Sequence, residues 1–461
     1  MSMGYGIILA AGKGTRMRSR LPKVLHKLGG KYMVQHVIQA VCDIGIKESI
    51  AVIGHEAEMV KQALGPALTY ALQEEQLGTG HAVMAALPYI REEDGHVLVV
   101  CGDTPLIRAE TLQKLWDYHL ETNSACSVLS ALLPDPAGYG RIVRKEDGTL
   151  LKIVEQKDAL PEELLLQEIN TGIYCFDLKS LREVIKNLSH DNAQGEYYLT
   201  DMVALLGEQG LLVNAVIADD FEETQGINSR SQLCAAEKNL RMRKIISLME
   251  DDGVTIVDPD TTYIDQGVTI GQDTVVEPGT FLRGKTVIGA ECTIGPNTDI
   301  TDSVIGDGCK INRTVMVEAK AGDLCNIGPF AYLRPGAELG YQVKVGDFVE
   351  IKKSRIGDNS KIPHLSYVGD SQLGTKVNIG CGTITCNYDG KHKYQTIIED
   401  GVFVGSNTNL VAPVKVGEGA FIGAGSTITM EVPAGDLALG RGRQVNFAGW
   451  AIKKRSQEEK E

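Results

Sequence analysis

The sequence predicts two folds in series: an α/β domain with a Rossmann-like, mainly parallel sheet, then a parallel β-helix of hexapeptide repeats. Three observations carry this. A glycine-rich cationic loop follows the first apolar run, short β-like and helical segments alternate through the first half, and apolar residues recur at every sixth position in the second. At 461 residues the chain exceeds one typical domain. We place the first domain at 1–228, a connecting helix at 229–251, and the repeat domain with its C-terminal tail at 252–461.

The apolar run Tyr5–Ala11 reads as a buried first strand. It breaks into Gly12, Lys13, Gly14, Thr15 and Arg16, where glycines let backbone N–H groups approach a phosphate and the cations neutralise it. The loop has neither G-x-G-x-x-G nor the GK[ST] ending of a Walker loop, so neither standard template fits. Downstream, Ser49–Gly54, His96–Cys101 and Ser124–Leu132 read as strands and Ala109–Thr122 as a helix, the alternation of a parallel sheet flanked by helices. Ser229–Asp251 lacks Gly and Pro, and Ser229 is suited to cap it. Arg241, Arg243 and Lys244 are expected on its solvated face.

After Gly253 the pattern changes. Ile264, Ile270, Val276, Leu282, Ile288, Ile294 and Ile300 are six apart. So are Ile327, Leu333, Leu339, Val345 and Ile351, and again Val404, Leu410, Val416, Ile422 and Ile428. Period six fits neither an amphipathic helix nor plain strand alternation. It fits a coil in which each hexad forms one side and its large aliphatic residue points inward. Glycine often follows the aliphatic residue, which we expect to serve tight corners. The register slips by one at Ile300 to Ile305 and at Ile351 to Ile356, expected as shortened corners. Cys386–Tyr394 breaks the hexads and reads as a loop leaving the coil.

Bulk properties exclude several functions. A net charge of −14 argues against nonspecific nucleic-acid binding. Ten scattered cysteines with no C-x-x-C pair favour reduced thiols and a cytoplasmic location over a disulfide framework or zinc site. The first apolar run is too short for a membrane span. Lys453–Glu461 is expected to be a frayed, charged tail.

The pattern L-x-x-G-x-G-T-x-M-x-x-x-x-P-K, from Leu9 to Lys23, resembles the signature of sugar-1-phosphate nucleotidyltransferases. The repeats resemble left-handed parallel β-helix acyltransferases, commonly trimeric, and left-handedness is implied by that resemblance alone. The join of the two resembles a bacterial family that pairs glucosamine-1-phosphate N-acetyltransferase with N-acetylglucosamine-1-phosphate uridyltransferase and supplies cell-wall precursors. The resemblance covers nearly the whole chain. It implies a homotrimer, small-molecule substrates including UTP and acetyl-CoA, a Mg²⁺ cofactor, and neither nucleic-acid nor membrane partners.

For the first domain the resemblance implies that Leu9, Ala10, Ala11, Gly12, Gly14, Thr15, Arg16 and Lys23 wrap the triphosphate. Gln73, Gln76, Gly78 and Thr79 in LQEEQLGTGHA would read the nucleotide, since amides can match a uracil edge and a glycine leaves room for the base. Gly140, Glu155, Asn170, Tyr198 and Thr200 would hold the sugar. Asp103, in Gly-Asp-Thr-Pro at a strand exit, is suited to Mg²⁺, a hard cation preferring oxygen. Asn228 matches the second protein ligand. Cys101 stands where relatives often carry Tyr.

For the second domain, an ammonium must lose a proton before attacking a thioester, and a base with a pKa near neutrality suits that task. His364 occupies the family's base position, and Glu350 is expected to orient its ring. Arg334 and Lys352 match phosphate contacts, and Tyr367, Asn378, Asn387, Tyr388 and Lys393 match sugar-site and loop positions. Cys381, where relatives often have Ala, together with Ser406, Ala424 and Arg441, matches the acetyl-CoA contacts. Two other readings share this architecture: a monofunctional pyrophosphorylase with a passive β-helix, and a non-enzymatic scaffold. His364, Arg334 and Lys352 speak against the first, and the Gly12–Lys23 loop with Asp103 against the second.

Overall fold

The computed structural model describes residues 4–458. The chain divides into two compact units at Leu240/Arg241. In the first, the sheet runs in the order Val213–Ile217, Cys126–Leu132, Glu168–Asp177, His96–Cys101, Gly4–Leu9, Glu48–Ile53, Thr69–Leu72. Gly4–Leu9 pairs in parallel with both Glu48–Ile53 and His96–Cys101. Alternation along it sends Tyr5 and Ile7 into one core and Ile8 and Ala10 into another, so both faces are covered. One strand departs from the parallel expectation: Glu168–Asp177 runs antiparallel to both neighbours. It follows the hairpin Arg141–Arg144/Leu150–Val154 and itself pairs with that hairpin at Ile169 and Arg141. A hairpin partner needs no helical crossover, which explains the reversed strand.

The helix Arg230–Glu250 takes its first backbone bond from Ser229, whose Oγ accepts from Gln232 N at 3.2 Å. Its Ala236 and Leu240 pack with Leu28, Met33 and Ile227 in the first unit, and Ile245 and Leu248 join the core of the second. Arg241 does not face solvent. It is 6 % exposed, donates to the carbonyls of Pro259 and Thr262 at 2.6 and 2.8 Å, and lies 4.4 Å over the Tyr263 ring. Lys244 is half-buried, and desolvation lowers its pKa. Unpaired carbonyls of the adjoining turn need donors, and helix periodicity alone does not reveal them.

In the second unit parallel strands stack into three sheets of eleven, ten and nine strands, the architecture of the hexapeptide-repeat left-handed β-helix. The periodic aliphatic residues line its core: Val276, Leu282, Ile294, Ile300 and Val404 are fully buried. Each contributes about 1.5–3 kcal/mol of burial free energy. The slips are shortened coils. Ile270 pairs with Ile288, eighteen residues on, whereas Ile288 pairs with Ile305 and Leu339 with Ile356, seventeen on. The glycines after the aliphatic residues serve two purposes: Gly295 and Gly328, at φ +106° and +101°, make the expected tight corners, whereas Gly289, Gly306 and Gly423 do not. Gly289 does not have a positive φ, but a Cβ there would lie 2.3 Å from Asp307 Oδ1 and 2.7 Å from the Gly306 carbonyl carbon. Close stacking of coils excludes the side chain. The left-handed residues at corners are mostly not glycine, among them Asn297, Arg313, Phe330, Phe348 and Leu365.

Loop 387–394 leaves the coil between Ile384–Cys386 and Thr396–Ile398 and closes on a Tyr388–Lys393 bridge. The tail is not frayed throughout: Trp450–Glu458 forms an exposed helix, and the remainder of the expected tail, 459–461, lies outside the described residues. All ten cysteines are free. Among the described residues no helix is long and apolar enough to cross a membrane.

Candidate active sites

The first strand ends at Leu9, and Ala10, Ala11 and Gly12 carry the chain out at the C-terminal edge of the sheet. Ligands of open α/β sheets bind at such strand ends. There Leu9, Ala10, Ala11, Gly12, Lys23, Gln73, Gln76, Gly78, Thr79, Cys101 and Asp103 line one cleft. Lys13, Arg16, Arg18 and Arg20 are exposed on the loop beyond. Gly14 has φ +57°, and a Cβ on it would lie 2.6 Å from Lys23 Cβ. The glycine loop and Lys23 are therefore packed as one unit. We expect Gly14→Ala to displace Lys23 and reduce pyrophosphate release from UTP by about 10²-fold. CoA release from acetyl-CoA should be unchanged, and parallel assays of the two products check this.

Lys23 is the hub of the cleft. Its ammonium donates to Asp103 Oδ2 and, at 2.9 Å, to Asn228 Oδ1. Two oxygens from distant parts of the chain thus face one positive charge. This donor set fits Mg²⁺, which takes one or two protein oxygens and completes its shell with water and phosphate. Gly226 lies beside them, where a Cβ would be 3.6 Å from Asp103 Oδ2.

The segment Gly78–Gly80 is stitched to Tyr197. Gly80 N donates to the Tyr197 carbonyl at 2.8 Å, and Tyr197 N to that of Leu77 at 2.8 Å. Gly78 has φ +103°, and a Cβ there would lie 2.7 Å from the Tyr197 carbonyl oxygen. The glycine is thus required by its neighbour as well as lining the cleft. Thr79 Oγ1 accepts from Leu199 N at 3.1 Å. Gln73, 3 % exposed, donates to the Gly78 carbonyl at 3.1 Å, and Gln76 to that of Gln73 at 3.2 Å.

The expected sugar residues lie outside that lining and form bonded pairs. Asn170 N donates to the Gly140 carbonyl at 2.9 Å, and Thr200 Oγ1 to Glu155 at 3.3 Å. Burial raises the Glu155 pKa, against the Thr200 bond. Tyr198 is buried, with its hydroxyl bonded to Gln194 and Asp158. Thr15 and Arg16 occupy a short exposed turn. The Cys101 thiol, pushed up to about 12 by burial, is a packing group rather than a thiolate. Glu196 also lines the cleft, two residues before Tyr198, and no motif in the sequence points to it.

In the β-helix, His364 ends the strand Lys361–His364 with its side chain 54 % exposed. Its Nδ1 bonds to Asp347 Oδ1 at 2.5 Å. Glu350, expected to hold the ring, does not. It accepts from Arg334 at 2.8 Å. Register explains the correction: Asp347 pairs with His364, whereas Glu350 pairs with Tyr332 and Tyr367 on another sheet. A partner one coil away sits about seventeen residues back, and Asp347 satisfies that spacing.

Around Asp370 a second cluster forms. Its Oδ2 accepts from Lys352 at 3.3 Å and from Asn387 at 2.5 Å, and Asn387 also reaches the Tyr367 hydroxyl at 3.4 Å. Lys393 meets Lys352, and that contact, with its like charge, lowers the Lys393 pKa. Tyr388 is exposed and donates to the Gly390 carbonyl at 2.6 Å, inside the loop. Asn378 pairs with Lys361 on the His364 sheet. Cys381 follows three residues later, as His364 follows Lys361, so it lies one coil along. Further along the same corner, Asn407 N donates to the Cys381 carbonyl at 2.7 Å, Gly425 N to that of Ser406 at 2.8 Å, and Arg441 to that of Ala424 at 2.9 Å. Cys381, Ser406, Ala424 and Arg441 therefore form one column.

A family model described as a MobA-like NTP transferase domain matches residues 6–152, and one described as bacterial transferase hexapeptide (six repeats) matches 395–429. Fold and sites thus define a nucleotidyltransferase joined to a hexapeptide-repeat acyltransferase. "Bifunctional protein GlmU" of Carboxydothermus hydrogenoformans is 55 % identical over 441 residues, covering 96 % of this chain and 98 % of the relative. Its namesake from a Geobacillus species is 54 % identical over 456 residues (98 % and 99 %), and that of Clostridioides difficile 51 % over 453 (98 % of each). The chain belongs to the GlmU family of bifunctional enzymes, which combine glucosamine-1-phosphate N-acetyltransferase and N-acetylglucosamine-1-phosphate uridyltransferase activities.

Proposed function

We propose that the two activities divide between the two sites, with uridylyl transfer at the Lys23 cleft and acetyl transfer at the His364 corner. The carrying observation is the convergence of Lys23, Asp103 and Asn228 on one point in the first unit, beside the His364–Asp347 pair and the separate Lys352–Asp370–Asn387 cluster in the second. The domain assignment is 1–228 for uridylyl transfer, 229–251 as connecting helix, and 252–461 for acetyl transfer.

In acetyl transfer, His364 takes a proton from the glucosamine 1-phosphate ammonium. The free amine attacks the thioester carbonyl, the new C–N bond replaces the C–S bond, and the departing CoA thiolate takes up the proton that the nitrogen loses as the amide forms. Placing a phosphate between Lys352 and Lys393 would relieve their repulsion, with Arg334 as a further cation. Tyr367, Asn378, Asn387 and Tyr388 surround the sugar. The Cys381–Ser406–Ala424–Arg441 column follows the acetyl-CoA arm, and the Cys381 N–H serves the oxyanion. No acyl-enzyme is required.

In uridylyl transfer, a phosphate oxygen of N-acetylglucosamine 1-phosphate attacks the α-phosphorus of UTP, and the bond to the β-phosphate breaks, releasing pyrophosphate. Alignment and charge neutralisation dominate such chemistry. The loop Gly12–Arg16 and Lys23 hold the phosphates, Gln73, Gln76, Gly78 and Thr79 the base, and Gly140, Glu155, Asn170, Tyr198 and Thr200 the sugar. Asp103 and Asn228 would hold Mg²⁺, which supplies charge neutralisation at the phosphates. The Lys23 ammonium, beside these oxygens, would contact the phosphates.

A homotrimer accords with the hexapeptide β-helix and with the exposed stacked pair Phe330 and Phe348, 5.4 Å apart, at the His364 corner. Free thiols accord with a cytoplasmic location, and the product would feed cell-wall synthesis. Titrating Mg²⁺ into EDTA-treated enzyme tests the division of labour. We expect pyrophosphate release to vanish with EDTA and return with Mg²⁺, while CoA release stays constant throughout. Loss of both with EDTA contradicts the assignment.

A further inference from the structure

We infer that Asp347 is a positioning residue for acetyl transfer, holding His364 through Nδ1 so that Nε2 is the basic atom. The inference rests on the reading of His364 as the base. An ionised carboxylate only accepts hydrogen bonds, so in the neutral ring the nitrogen facing it carries the proton and the other nitrogen keeps its lone pair. The same carboxylate then balances the charge of the imidazolium formed when the amine is deprotonated. The 2.5 Å contact is matched by a lowered Asp347 pKa, caused first by the His364 bond.

The backbone fixes this pair. Asp347 and His364 are register partners, and Leu365 N donates to the Asp347 carbonyl at 2.9 Å. Immediately before the pair, a Cβ on Gly346 would lie 1.8 Å from the Pro363 carbonyl oxygen, so the coils are in close contact there. Immediately after it, Phe348 and Leu365 are left-handed at φ +56° and +47°. Bulky side chains rarely adopt that conformation. The two functional side chains therefore leave equivalent corner positions on adjacent coils. Neighbouring carboxylates are committed elsewhere, Glu350 to Arg334 and Asp370 to Lys352 and Asn387. With side chains 54 % and 36 % exposed, the pair contributes little to stability. Its value lies in orientation.

The test follows CoA release by the full-length enzyme. Asp347→Ala should lower kcat about 10²-fold, with KM for glucosamine 1-phosphate and acetyl-CoA within about twofold and pyrophosphate release intact. Asp347→Asn should recover only part of that loss, because the amide oxygen can accept from Nδ1 but carries no charge to balance the imidazolium. Asp347→Ala added to His364→Ala should cost nothing more, since the carboxylate acts through the ring. Full activity in Asp347→Ala, or a further loss in the double variant, overturns the role. A His364→Ala enzyme that still transfers acetyl groups would instead remove the base assignment, and this role with it.

Discussion

Replacing His364 with alanine is expected to lower acetyl transfer by about 10²–10⁴-fold, the range for loss of a positioned general base. Uridylyl transfer should be unaffected. The ring is exposed and its one described bond is to Asp347, so its removal leaves the β-helix core intact. The core depends on inward aliphatic residues such as Val345, Ile362 and Ile379, none of which His364 replaces. Separate assays of CoA and pyrophosphate, made on protein with an unchanged melting transition, distinguish a chemical loss from a folding loss. Loss of both products from a folded enzyme contradicts two independent sites.

Replacing Asp103 with alanine is expected to produce the reverse, a loss of uridylyl transfer of at least about 10²-fold with acetyl transfer retained. The side chain stands at a strand exit with 20 % exposure and shares the Lys23 ammonium with Asn228. Its removal takes away a negative charge and one of two oxygens aimed at the same point. More Mg²⁺ should be needed for half-maximal pyrophosphate release. Asp103→Asn keeps an oxygen but not the charge, and should fall between the wild-type enzyme and Asp103→Ala.

Much of this architecture is legible in the sequence because it rests on local rules. The six-residue spacing from Ile264 to Ile300 reports inward side chains directly, and the strand His96–Cys101 and helix Ala109–Thr122 lie at their expected bounds. What escapes sequence reading depends on partners brought from elsewhere. Glu350 and Asp347 are both carboxylates a few residues apart, and only the stacking register gives His364 to Asp347. Arg241 looks like a surface charge until the carbonyls of Pro259 and Thr262 close over it. Gly289 resembles a turn glycine, yet the neighbouring coil is what excludes a Cβ. The Lys23 bridge joins residues 80 and 205 positions away, a separation no local pattern encodes.

The account's central claim is that one chain carries two separable transferase sites. Purified enzyme supplied with glucosamine 1-phosphate, acetyl-CoA, UTP and Mg²⁺ tests it most directly, with CoA thiol and pyrophosphate followed separately. Release of both, with UDP-N-acetylglucosamine formed, is the expected result. Pyrophosphate released only when N-acetylglucosamine 1-phosphate is added, with no CoA released under any condition, would contradict it and leave the β-helix a scaffold.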